Sequence, residues 1–174
     1  MRALLLASCA MLCGAAAPLR STPDLGKAEG QCRRNEPGPA FEVTVVGLKD
    51  RKGLLKLELY PDNDTDFLAD DNVLLEQGKA FARVEMRVPQ RGPVEMCIRA
   101  PRPGGYSLSL LHDRDMNRKF GVSSDGIGFP NDPKLGWSRP KAAAARALVG
   151  SGVSRLRIRL NYRHGLFSFG PIDR

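Results

Sequence analysis

The densest run of residues able to bind or catalyse is His112-Asp113-Arg114-Asp115-Met116-Asn117-Arg118-Lys119-Phe120-Gly121. Asp113, Asp115 and Asn117 stand at i, i+2 and i+4, the spacing with which a calcium loop opens as its oxygen ligands converge. The rest departs from such a loop. Arg118 occupies the position that wants Gly, and Ser124 stands where a bidentate Glu would close the coordination shell. Arg114, Arg118 and Lys119 also bring three positive charges into the span, enough to neutralise both acids without an ion. The expectation is a loop knotted by Asp and Asn side chains bonding to their own backbone, with no cofactor. Calcium on Asp113, Asp115 and Asn117 is the alternative.

His112 could instead serve as a base between a nucleophile (Ser123 or Ser124) and an orienting acid (Asp113 or Asp125). Nothing local supports hydrolysis: the chain has no G-x-S-x-G elbow and no H-E-x-x-H pair. His112 shares its parity with Tyr106, Leu108 and Leu110, so it should point inward at a strand end and be buried and hydrogen-bonded. A small hydrolase is the remote reading.

The elements that must carry this loop are legible as strands. Phe41, Val43 and Val45 alternate with polar residues, and so do Leu55, Leu57 and Leu59 after the Lys52-Gly53 turn. The same period of two recurs at Val84, Met86 and Val88, at Val94, Met96 and Ile98, and at Tyr106, Leu108 and Leu110. Ala143, Ala145, Ala147 and Val149 form a weaker case that could equally start a helix. Leu156, Ile158, Leu160 and Tyr162 alternate with Arg155, Arg157, Arg159 and Arg163. Seven strands with turns between them and one apolar face each predict an all-β, seven-stranded antiparallel sandwich, immunoglobulin-like or transthyretin-like. Only residues 66–75 have helical potential, within an acidic stretch holding Asp62, Asp64, Asp66, Asp70 and Asp71, read as a solvated connection.

The ends of the chain add an address and a staple. One positive charge at Arg2, an apolar run over residues 3–14 and Ala15-Ala16-Ala17 have the layout of a secretory signal peptide cleaved near Ala17. The expected location is periplasmic or secreted, with no transmembrane segment in the mature chain; Leu6-Ala7-Ser8-Cys9 leaves a lipid-anchored form as the variant. Residues 18–40 read as an extended lead-in, 41–163 as the domain and 164–174 as a tail. Cys32 and Cys97 survive cleavage and have one possible pairing in an oxidising compartment. Cys97 has the parity of Glu95 and Arg99, so its thiol should leave the apolar face and meet an N-terminal segment crossing outside the sheet.

Composition narrows the partners. Of 174 residues, 42% are hydrophobic and 26% charged, which suits one globular domain. Two histidines and 6% aromatics argue against a His-rich metal centre or a stacking platform for single strands. The net charge is +8, and residues 134–174 alone hold nine basic residues against one acid. Arg155, Arg157, Arg159 and Arg163 would form a basic ladder on one strand face. An exported protein rarely meets nucleic acid, so an anionic envelope surface or polysaccharide is the expected partner. A solvated face that blunts a sheet edge explains the ladder equally well.

The central motifs also carry a resemblance. His112-Asp113-x-Asp115-x-Asn117-x-Lys119-Phe120, followed by Gly126-Ile127-Gly128-Phe129-Pro130-Asn131, resembles domain-of-unknown-function family DUF2141, found in exported bacterial proteins. Val46-Gly47-Leu48, Lys52-Gly53-x-Leu55, Leu59-Tyr60 and the basic last strand extend the likeness over residues 41–162. Family members often carry an Asn-Gly-rich loop with a further acid where this chain has Gly121, a departure that tells against calcium. The resemblance implies export and a β-sandwich but no settled activity. The expected function is therefore non-enzymatic: an envelope module presenting His112, Asp113, Asp115, Asn117, Lys119, Asp125 and Asn131 at one end of its sheets. A calcium-stabilised, adhesin-like module is the alternative.

Overall fold

Alternation of apolar and polar residues makes one face of each strand adhesive and the other wettable, and the chain folds along those faces. The computed structural model describes residues 17–136, 138–165 and 168–172. The leader assigned to residues 1–17 therefore lies, Ala17 excepted, outside the described residues. In chain order the elements are β1 (Ala40–Val46), β2 (Leu54–Pro61), α1 (Asp71–Glu76), β3 (Ala82–Arg87), β4 (Val94–Arg99) and β5 (Gly104–Asp113). Then come β6 (Gly126–Gly128), a 3-10 turn (Ala142–Ala145), β7 (Arg146–Val149), β8 (Val153–Arg159), β9 (Tyr162–His164) and β10 (Ser168–Gly170).

The fold is all-β with one short helix. One sheet runs β3-β2-β5-β6, with β7 also pairing β5; a second runs β4-β1-β8; β9 and β10 pair as a third. The seven expected strands thus become ten among the described residues. The additional pieces are three residues long and too short to show a period, and the alanine run divides into a 3-10 turn and β7. The pairing is also not antiparallel throughout: β1 and β8 are parallel, with Val43 opposite Leu156 and Val45 opposite Ile158. Parallel neighbours need a long crossover, and here most of the domain supplies it.

The inner faces of the two large sheets share one core. Phe41, Val43, Leu55, Leu57, Val84, Met96, Ile98, Leu108, Leu110 and Ile158 are fully buried in it. Each buried leucine contributes about 2 kcal/mol relative to exposure. The outer face of the β2–β5 sheet is covered as well. A second cluster of Tyr60, Phe67, Leu74, Phe129, Ala142 and Ala145 lies over it, which explains why Ser107, Ser109 and Leu111 are buried on the side that alternation assigns to solvent.

The acidic stretch is not a solvated connection. Asp66 and Asp71 are buried, Asp66 against the Lys79 ammonium and Asp71 3.1 Å from the Arg83 guanidinium. The Lys79 hydrogen bond holds the Asp66 carboxyl below the usual carboxylate range. Arg83 is the pivot: Nε donates to Glu58 Oε1 at 2.8 Å, and its other arm reaches the carbonyl oxygens of Thr22 and Pro23. The lead-in is thereby held along two sheet edges. Ala28 N–H donates to Arg83 O on β3 and Cys97 N–H to Gly30 O on β4. The Cys32–Cys97 disulfide forms here, with Cα atoms 5.0 Å apart, as the outward parity of Cys97 requires. Covered edges cannot recruit strands from other chains.

At Leu160 and Asn161 the chain changes sheets. Leu160 N–H still donates to Val46 O beside β1, whereas Asn161 exchanges both backbone hydrogen bonds with Ile127 on β6. This step splits the basic ladder. Arg155 pairs with Glu42 across β1 and Arg159 with Asp132, while Arg157 is exposed beside Thr44. Arg163, two residues past the crossing, lies on β9 and turns to a different surface.

Candidate functional site

His112 sits at the inner face of β5 with no exposed surface. Its Nε2 lies 2.8 Å from the Lys52 carbonyl, so that nitrogen carries the proton. Its Nδ1 then accepts the Tyr162 hydroxyl at 2.6 Å, and the same hydroxyl oxygen accepts the Lys49 N–H at 3.1 Å. Burial pushes the imidazole below its ordinary value and keeps it neutral. Both ring nitrogens are thus engaged by Tyr162 and Lys52 rather than by Ser123 or Ser124. Ser124 gives its hydroxyl to the Gly121 carbonyl, and the base–nucleophile contact of a hydrolase is not made among these residues.

Asp113 is buried where β5 ends and organises the loop that follows. Oδ1 accepts Asn117 N–H at 3.2 Å and Oδ2 accepts Arg118 N–H at 2.7 Å. Asp115 accepts Asn117 N–H at 3.1 Å, and Asn117 Oδ1 accepts Lys119 N–H at 2.7 Å. Asp125, also buried, closes the far end by accepting Arg114 N–H at 3.0 Å and Gly121 N–H at 2.8 Å. These carboxylates satisfy backbone donors that the irregular chain leaves without ladder partners. Met116 and Arg118 stand in the left-handed region, at φ 60° and 63°, which such side-chain bonds hold in place.

The charges balance differently from the expectation. Arg114 turns its Nε to Asp50 Oδ2 at 3.0 Å, and Arg118 reaches Glu85 at 3.7 Å, so neither is the neutralising partner of the loop acids. The Arg114 hydrogen bond lowers the Asp50 carboxyl. Three carboxylates, from Asp113, Asp115 and Asp125, therefore converge with oxygens within 4.8 Å of one another, and burial raises the Asp113 carboxyl. Backbone N–H groups supply most of the hydrogen bonds to these carboxylates.

This predicts that Asp113→Ala lowers stability by about 2 kcal/mol through unpaired N–H groups. The loss should be identical in chelator and in millimolar calcium when followed by thermal melting. A wild-type melting temperature that rises with calcium, and stops rising in the mutant, would revive the metal site.

The residues singled out by type are thus mostly spent inside the loop. Asn131 is exposed, and its amide donates to Arg146 O at 2.8 Å. The surface they support is a cleft of about 420 Å³ against the outer face of the β2–β5–β6 sheet. Its floor is Ser109, Leu111, Ile127 and Phe129. Phe120 and Val122, both exposed on the pinned loop, form one wall, and Phe120 packs edge-on to Phe169 of β10 at 6.0 Å. Leu135 and Arg139 form the opposite wall, and Arg163 reaches the cleft from β9.

Sequence reading missed most of this lining. The available signal was Ile127 and Phe129 alternating with Gly126 and Gly128, a strand pattern hidden by its two glycines. Phe120 and Val122 gave a second, as apolar residues of one parity beside the polar motif.

The family model described as "Uncharacterized protein conserved in bacteria (DUF2141)" matches residues 43–156, well over half of the chain. No curated protein and no solved structure matches it.

Proposed function

The chain belongs to the DUF2141 family, and from that premise we propose that it is a non-enzymatic binding module of the bacterial envelope, exported and processed near Ala17. The observation that carries the proposal is the apolar cleft walled by a loop whose polar side chains are used to hold its shape. Concave, mainly apolar sites on a rigid scaffold are where small molecules bind. The Cys32–Cys97 bridge supports an oxidising compartment. Among the described residues no helix is long and apolar enough to cross a membrane. The two sheets that share a core are read as a seven-stranded immunoglobulin-like or transthyretin-like sandwich enlarged by short strands. Arg157, exposed on β8, offers a second, basic contact for an anionic envelope surface or polysaccharide.

The test is titration with N-phenyl-1-naphthylamine, a neutral dye that fluoresces in apolar sites. Ile127→Trp should fill the cleft and weaken binding at least tenfold while the melting temperature holds. Val122→Asp, on the exposed wall, should weaken it in the same direction if the filled variant does not fold. Dye binding that is undetectable, or unchanged in a folded variant, overturns the proposal. A calcium-stabilised module is the second reading, favoured by the convergence of Asp113, Asp115 and Asp125, and the melting experiment above decides it.

A further inference from the structure

We infer that the cleft takes a single-chain amphiphile with a carboxylate head, an alkyl tail lying on Leu111, Ile127 and Phe129 and the head beside Arg139. The inference rests on the cleft being a binding site, and it adds the ligand's charge and shape.

Among the described residues, the ionisable groups lining the cleft are Lys56, Glu58, Arg139 and Arg163, three cations and one carboxylate. Glu58 is already compensated from within the protein. Its Oε1 lies 2.8 Å from Arg83 and 3.3 Å from Lys56, and its Oε2 accepts the Tyr60 hydroxyl at 2.9 Å. Burial pushes the Tyr60 phenol well above its ordinary value, so it remains a donor to that carboxylate. Glu58 therefore offers a ligand cation little.

Arg139 is fixed differently. Nη1 donates to the Phe67 carbonyl at 3.2 Å and Nη2 to the Asp64 carbonyl at 3.5 Å. Carbonyl oxygens orient the guanidinium without cancelling its charge, leaving a planar donor at the exposed rim of an apolar trough. A carboxylate meets that donor by charge-assisted hydrogen bonds while its tail is removed from water. Val122 and Phe120, exposed on the facing wall, would cover the tail's outer side.

Isothermal titration with sodium laurate, dodecanol and dodecylammonium, all below their aggregation limits, tests this on the full mature chain. Laurate should bind in the micromolar range, at least tenfold tighter than dodecanol, with dodecylammonium weakest. Arg139→Gln should bring laurate down to the affinity that the same variant shows for dodecanol, with the fold retained by circular dichroism. Equal affinity for laurate and dodecanol, or no effect of Arg139→Gln, overturns the carboxylate head while the cleft stands as a neutral binding site. Binding of none of the three, together with no dye binding, removes both readings. Dodecyl phosphate puts a tetrahedral, lipid-like head on the same tail; binding tighter than laurate would overturn the carboxylate in favour of a phosphate head.

Discussion

Replacing Cys32 and Cys97 together by alanine is expected to lower the unfolding free energy by about 4 kcal/mol. The bridge spans a sequence separation of 65, and on the chain-entropy model closing such a loop restricts the unfolded ensemble by that amount. The native state should change less. Arg99 remains bonded to Glu36, with Nε donating to Oε1 at 2.7 Å, and the Gly30 carbonyl still accepts Cys97 N–H. That ion pair also lowers the Glu36 carboxyl, by the Arg99 hydrogen bond first. Urea unfolding of the variant against the oxidised parent measures the difference, and the reduced parent should behave as the variant does. A difference below about 1 kcal/mol would show that the lead-in is held by its polar contacts alone.

Gly126→Ala should be the next most damaging change, at about 3 kcal/mol. A Cβ at this position would overlap the ring of Tyr162, which is fully buried between the two large sheets. Overpacking a filled site costs about 1–3 kcal/mol by itself. Here the ring cannot retreat without leaving His112 Nδ1 and the Lys49 N–H unpartnered, which adds about 1 kcal/mol each. Tyr162→Phe separates the two parts: it keeps the ring and removes the hydroxyl, so it should cost only about 1–2 kcal/mol. Denaturant midpoints of the two variants check this order. A Gly126→Ala protein as stable as Tyr162→Phe would mean that β6 shifts away and the ring is not the constraint.

Gly126 belongs to the family motif, and its place explains why the motif is legible while its purpose is not. The Gly126-Ile127-Gly128-Phe129 run reads as a signature; the reason for its small residues lies on β8 and β9, thirty or more positions away. At Gly128 an added Cβ would meet the Arg159 carbonyl and Ile158, so β6 can lie against the end of β8 only with glycine there.

The sequence by itself determined the inner core, the inward turn of His112, the outward turn of Cys97 and the loop that Asp113 and Asn117 hold. All of these follow from a period of two or from side chains reaching backbone a few residues away, so neighbouring residues contain the information. Tertiary structure decided the rest. Asp66 and Asp71 read as solvated because their counter-charges, Lys79 and Arg83, come from a following turn and strand. The basic row on β8 reads as continuous because the change of sheets at Asn161 is made by hydrogen bonds to Ile127, which nothing near Asn161 announces. The cleft is the clearest case. Its floor lies on the face of β2 and β5 that alternation gives to water, and its walls come from three separated segments. A concave surface is a relation between distant parts of the chain, set by what covers a sheet rather than by the pattern within it.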